Sequence, residues 1–283
     1  MEYQQVVEKV AETLVTAGST FSEDKFRAYA RAIERETNPQ SRWVMEQVVE
    51  NAKAAGKNRG PLCDDTGIPH VYVEVGRNQA VTGETIAAIH EGIAQGLRRL
   101  PGRPMAIMGD DCQRLDQSGG LNPDSGALLP APVQIRNTDA DETRVYVMME
   151  GGGPAIRGKD YRVFHKHSVD VVVNEIVAWA KEAVAQLGCS PCTLAVGIGR
   201  SHYEAAAMMM EAQVHGNFDC QSELEQRITD EVNKANIGAL GLGGDTSVLA
   251  TFLKVGPQRA SGVRIVCLRP CCCFEPRVAS TTL

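Results

Sequence analysis

Three cysteines, each in its own glycine- or proline-marked turn, constrain this chain more than any other feature. Cys63 lies in Pro-Leu-Cys-Asp-Asp-Thr-Gly-Ile-Pro. Cys189 opens Cys-Ser-Pro-Cys and runs into Thr-Leu-Ala-Val-Gly-Ile-Gly. Cys273 closes the run Cys271-Cys272-Cys273 ahead of Phe274-Glu275-Pro276-Arg277. Thiols from three separate turns can reach one inorganic cluster from three sides. Three protein ligands on a four-iron cluster would leave one iron open for chemistry.

The rest of the composition narrows the class. The 283 residues suffice for one large domain or two ordinary ones. A net charge of −6 and 5% aromatic residues argue against a nucleic-acid surface and against base stacking. No run approaches the roughly 18–20 apolar residues that span a bilayer, so no membrane partner is expected. The N-terminus has no basic segment followed by an apolar stretch, and the expected location is cytoplasmic. In a reducing compartment the 9 cysteines favour metal or catalytic use over disulfides.

Patterning predicts a helical region over the first 60 residues, with Ser22 as an N-cap. Phe26, Tyr29, Ala30 and Ile33 form its apolar face, and a break at Asn38-Pro39 precedes Trp43, Val44, Val48 and Val49. Strands are expected over 70–75, 133–136, 144–149, 192–198, 248–255 and 263–268. Helices are expected over 83–100, 169–187, 203–214 and 222–236. Residues 101–132 lose periodicity and read as a long loop, functional or mobile. His165-Lys166-His167 alternates, which would set both rings on one face of a strand. The fold class is α/β: a mixed α/β catalytic domain with a helical N-terminal region and a cluster pocket built from loops. It is read as a single domain over 1–283, and residue 130 marks the only candidate subdomain boundary.

Each motif has a plain reading beside its chemical one. Cys63-Asp64-Asp65-Thr66-Gly67 could be only a tight turn, yet two carboxylates beside a thiol could orient water or relay protons. Cys189 and Cys192 share the spacing of redox pairs and zinc sites. They lead into a strand rather than a helix N-terminus, which disfavours thioredoxin-like chemistry, and a zinc site would need a second pair. The triple cysteine could be buried packing. Glu150-Gly151-Gly152-Gly153 and the stretch Gly238–Thr246 lack the phosphate-loop pattern, but their backbone N–H groups could receive a carboxylate. Arg103 and Arg136 are arginines suited to bidentate carboxylate binding.

Together these motifs, in this order and spacing over roughly residues 5–280, resemble the iron–sulfur hydro-lyases, the class I fumarases and the α subunit of L(+)-tartrate dehydratase. The resemblance implies a [4Fe–4S] cluster held by Cys63, Cys189 and Cys273. It favours Cys189 over Cys192 by its distance from the Val-Gly-Ile-Gly strand, and Cys273 over Cys271 by the following Arg277. It implies reversible dehydration of a small dicarboxylic 2-hydroxy acid. Asp65 and Asp64 would be the proton-handling and positioning groups, Arg103 would hold the distal carboxylate, and Gly151, Gly152, Gly153 and Thr246 would line the substrate. It also implies a separate β subunit completing the site within a homo- or hetero-oligomer. The chain departs from the family pattern at Asp64, where glutamine is usual, at Pro154 and Arg200, and at Gln258 in place of a histidine. The rival readings are a zinc- or thiol-dependent enzyme and a non-catalytic family member acting in regulation.

Overall fold

The computed structural model describes residues 2–283. Three helices open the chain: α1 (Tyr3–Ser19), α2 (Glu23–Arg35) and α3 (Pro39–Asn58). They are followed by β1 (Ile68–Gly76), α4 (Gly83–Arg99), α5 (Asp111–Asp116), β2 (Gln134–Thr138), β3 (Arg144–Glu150) and the single-turn α6 (Gly152–Ala155). The remainder runs β4 (Lys159–Phe164), α7 (Val169–Leu187), β5 (Cys192–Gly199), α8 (His202–His215), α9 (Glu223–Asn233), β6 (Val248–Val255), β7 (Val263–Cys271) and β8 (Val278–Thr282). The mixed α/β class is therefore observed, with the predicted helical start.

Two compact units divide the chain. The first holds the described residues up to Thr20, then Ala52–Gly151 and Arg277–Leu283; the second holds Phe21–Asn51 and Gly152–Pro276. In the first unit a four-stranded sheet runs β2-β1-β3-β8, with β1 parallel to β2 and antiparallel to β3. Alternation puts Val71, Val73, Val145, Val147 and Met149 on one face. The apolar stripes of α1 (Val7, Val10, Leu14) and α4 (Ile89, Ile93, Leu97) close over that face in a single core.

In the second unit the order is β4-β7-β5-β6. Every residue of β5 is buried, as expected of a central strand covered on both faces. Leu194, Val196 and Ile198 pack with α7 and α9, while Ala195 packs with Met209 of α8. The glycines of Val-Gly-Ile-Gly have a packing reason. A Cβ on Gly197 would stand 2.0 Å from the Ala205 carbonyl oxygen, so α8 lies directly on the strand there. β5 is parallel to β6 and antiparallel to β7, pairing Thr193 with Cys271. The start of β5 and the end of β7 thus emerge at the same end of this sheet, and each leads to a cysteine turn.

Several local expectations are corrected. Helix α2 buries Lys25, Ala28, Tyr29 and Ala32; Ala30 is exposed, and Phe26 and Ile33 are only half-buried. Trp43 is 60% exposed. His165 follows β4, and Lys166 and His167 turn with φ of 48° and 55°. The two rings meet edge to face at 5.1 Å in a turn and not on a strand. The irregular stretch 101–132 contains α5, capped by the Asp110 carboxylate on the Gln113 N–H. Edge strand β4 and terminal strand β8 escaped the sequence reading because their exposed faces carry polar residues with little alternation.

Candidate functional site

In the first unit, the turn between α3 and β1 presents Cys63, Asp64 and Asp65. The Thr66 N–H bonds the Asp64 carbonyl at 3.0 Å, closing the turn, and the Leu62 N–H reaches back to the Gly18 carbonyl at 2.9 Å. Cys63 is half-buried and Asp64 exposed. The Cys63 Sγ lies 3.6 Å from Asp64 Oδ1.

Arg103, distant in sequence, arrives at the same turn. Its backbone N–H donates to the buried Thr66 hydroxyl at 3.2 Å. Its guanidinium stands 3.7 Å from Asp64 Oδ2 and 4.0 Å from Asp65 Oδ1. The arginine side chain is 55% exposed, so these pairs are loose and solvent-screened. A guanidinium beside two carboxylates can exchange one of them for an incoming carboxylate.

Arg277 fixes the turn from below. It is buried, donating from Nε to the Met149 carbonyl at 3.0 Å and from Nη1 to the Asp65 carbonyl at 2.9 Å. Gly67 has φ +88°, and a Cβ there would stand 2.6 Å from Arg277 Nη2 and 2.8 Å from the Glu150 carbonyl oxygen. Glycine is thus required for this backbone twist and for the close approach to Arg277.

Gly151 follows β3 and is buried, directly after the Glu150 that pairs with Ile68. Gly152 and Gly153 belong to the second unit, where they open α6 instead of forming the expected open turn.

In the second unit the other two cysteines are joined through the backbone. The Cys273 N–H donates to the Cys189 carbonyl at 2.9 Å. Cys189 is exposed at its turn. Cys192, three residues on, is wholly buried in the α7–β5 core, and burial pushes its thiol far up. The Cys-x-x-Cys spacing therefore divides into one surface thiol and one core thiol. Cys271 is also buried, with its Sγ 3.2 Å from Gln213 Oε1. The Cys273 thiol is held well up, first by its hydrogen bond with Cys272 and then by burial. A metal bound there would have to replace that proton.

The glycine-rich stretch Gly238–Thr246 braces the Cys189 turn. The Leu240 N–H donates to the Ser190 carbonyl at 3.1 Å, and the Ser190 hydroxyl to the Gly238 carbonyl at 2.6 Å. Its backbone donors do receive a carboxylate, but one from the chain itself. Glu36, fully buried, accepts from the Asp245 N–H at 2.9 Å and the Thr246 N–H at 3.0 Å, and also from the Asn38 N–H at 3.0 Å. The Thr246 backbone donor is thus engaged. Arg136 lies on β2 and is exposed. Two family departures are absorbed locally: Arg200 pairs with Glu204 at the start of α8, and Gln258 donates to the Gly256 carbonyl at 3.0 Å.

Among the described residues no three Cys, His, Asp or Glu side chains group closely enough to hold a metal ion. Cys63 lies in the first unit, and Cys189 and Cys273 lie in the second. Chemically these fit an iron–sulfur group, because thiolates are its ordinary ligands. A further observation agrees. The Cys271–Glu275 segment buries a lysine ammonium, Lys25, that forms no ion pair with a carboxylate among the described residues.

Sequence reading missed two pairs of residues. His70 Nε2 lies 3.7 Å from Glu150 Oε2, with the histidine 20% and the glutamate 8% exposed. An imidazole and a carboxylate so placed can hold or pass a proton. Glu150 stood in the glycine motif, but nothing in the sequence linked it to His70. Lys25 was missed because a lysine reads as solvated, and Tyr29 was read only as part of the apolar face, with no link to Cys273. The signal was its helical phase with Ala28, Tyr29 and Ala32.

Comparison with known proteins agrees with this assembly of motifs. The protein named "Putative L(+)-tartrate dehydratase subunit alpha" from Methanocaldococcus jannaschii is 23% identical over 97% of this chain and 96% of its own length. The L(+)-tartrate dehydratase subunit alpha of Escherichia coli K12 is 24% identical over 95% and 89%. A "Putative fumarate hydratase class I" from Geobacillus stearothermophilus is 29% identical over 89% of this chain but only 50% of its own. The family model described as Fumarate hydratase (Fumerase) matches residues 7–281, and the chain belongs to that family of hydro-lyases.

Proposed function

We propose that this chain is the α subunit of a [4Fe–4S]-dependent hydro-lyase acting on a small dicarboxylic 2-hydroxy acid of the malate or tartrate type. The observation that carries the reading is the turn at Cys63. There the thiol, two carboxylates and the guanidinium of Arg103 gather, with Asp64 standing where the family usually has glutamine.

Cys63, Cys189 and Cys273 would hold the cluster. When bound, it supplies an open iron as a Lewis acid for the substrate hydroxyl and its neighbouring carboxylate. The chain's own residues do the rest. Arg103 holds the distal carboxylate, giving up its loose contacts with Asp64 and Asp65. Asp65, whose side chain is 28% exposed, takes or relays the proton leaving the carbon next to the hydroxyl-bearing carbon. That C–H pair becomes the new double bond as the hydroxyl departs, and proton and hydroxyl leave as water. Backbone donors of Gly151–Gly153 and the Thr246 hydroxyl orient the remaining oxygens.

The two tartrate dehydratase relatives matched almost end to end are named as subunits, and the fumarate hydratase relative is twice as long as the matched stretch. A separate β subunit, completing the site in a cytoplasmic hetero-oligomer, accounts for both. No helix of the described residues is long and apolar enough to cross a membrane.

The test is anaerobic co-expression with a candidate β subunit, followed by dehydration assays on malate, tartrate and citramalate. Turnover of one acid, requiring both chains and labile sulfide, is expected. Purified protein carrying zinc without iron or sulfide would overturn the reading.

A further inference from the structure

Helix α2 turns a lysine into the protein. Lys25 is 1% exposed. Its ammonium donates to the Glu275 carbonyl at 2.8 Å and stands 4.3 Å over the Phe21 ring. Among the described residues no carboxylate comes within ion-pair distance of it. The nearby buried acid, Glu275, is already taken. Its carboxylate lies 3.1 Å from Arg269 Nη2, with the two side chains 1% and 7% exposed. Arg269 and Glu275 cancel, so Lys25 keeps its positive charge with no carboxylate paired to it. An isolated buried ammonium is costly, and chains seldom retain one without compensation.

Holding the segment in place does not require that charge. One helical turn on, the Tyr29 hydroxyl donates to the Cys273 carbonyl at 2.7 Å. A neutral side chain of similar length would fill the space Lys25 occupies. What lies beside the charge is the cysteine run, since α2 grips its Cys273 carbonyl and the Glu275 carbonyl two residues on. Burial brings the Lys25 pKa down to about 8, and the groups that pull it back up are, in order, Cys272, Cys273, Cys271 and Glu275.

We infer that Lys25 is the built-in counter-charge for a thiolate-bound anionic cluster at Cys273. It favours the cluster's assembly and raises its reduction potential. Three thiolates on an oxidised [4Fe–4S] core leave one net negative charge, and one-electron reduction adds a second. A fixed cation nearby stabilises both states, the reduced one more. This inference rests on the reading of Cys273 as a cluster ligand, and its test separates the two.

The full chain, with its β subunit, is reconstituted anaerobically as wild type, Lys25→Met and Lys25→Arg. Iron and labile sulfide are counted, and the midpoint potential is followed by electron paramagnetic resonance during dithionite titration. The same three apo proteins are melted. The expected result has opposite signs in the two forms. Without the cluster, Lys25→Met melts at or above the wild-type temperature, because an uncompensated charge is gone. With it, Lys25→Met takes up less iron or titrates at a more negative potential, and Lys25→Arg stays near wild type. If apo Lys25→Met melts lower or fails to fold, Lys25 is a structural clamp and the inference is wrong. Normal iron uptake at an unchanged potential overturns it as well. A wild-type protein that takes up no iron and sulfide instead sinks the functional reading beneath it.

Discussion

The turn at Cys63 and the run Cys271–Cys273 carry the same thiol chemistry in opposite surroundings. The first is half-open, flanked by two carboxylates and a solvent-screened arginine. In the second, Cys271 and Cys273 are buried and Cys272 is half-buried; two side chains of α2 hold the Cys273 and Glu275 carbonyls, and one of them is a lysine that ion-pairs with no acid among the described residues. The difference teaches a division of labour. Groups that must bind, release and protonate a substrate need solvent access and mobile partners. A ligand that must keep its grip on an inorganic centre gains from rigid, dry surroundings.

The largest expected effect erases the difference. Cys63→Ser, Cys189→Ser and Cys273→Ser should each abolish iron and sulfide uptake, while Cys192→Ser retains them. Metal analysis after anaerobic reconstitution decides this, and iron loss in the Cys192 variant alone would reassign the ligand set. Next comes the brace behind Cys189. Glu36→Ala strands three backbone donors and should cost about 3 kcal/mol or more in urea unfolding, with the second unit losing protection first.

Gly67→Ala forces a side chain onto Arg277 and the Glu150 carbonyl at positive φ, a penalty of about 2 kcal/mol or more. In the apo protein the two cysteine turns should separate. Cys273→Ser buries a hydroxyl in place of a thiol and costs about 1–2 kcal/mol, whereas Cys63→Ser stays within about 0.5 kcal/mol. Equal losses would remove the contrast between the turns. Smallest in stability is Arg103→Ala, within about 0.5 kcal/mol by thermal melt. In the reconstituted enzyme its KM should rise at least tenfold, and an unchanged KM would take Arg103 out of substrate binding.

The open turn was the more legible of the two regions. Cys63, Asp64, Asp65, Thr66 and Gly67 are contiguous, so their chemistry reads directly from the sequence. The helices and strands with strong periodicity read nearly to their ends, as at 169–187 and 248–255. The buried region was opaque because its key groups break the rule that charge means surface. Lys25 and Glu36 sit on or beside a helix whose apolar residues suggested a different face. Burial of a charge depends on partners hundreds of positions away, such as the Glu275 carbonyl or the Asp245 N–H, and no local window contains them. The same holds for His70 and Glu150, which meet only once β1 and β3 are paired.

Glu36 makes the glycine-rich turn a receptor that arrives already filled. A tethered carboxylate competes at an effective concentration far above the millimolar range of a free metabolite. No physiological level of a dicarboxylate will displace it from the Asp245 and Thr246 amides. Those two amides are consequently closed to any free acid. Changing its glycines should alter how firmly the Cys189 loop is held.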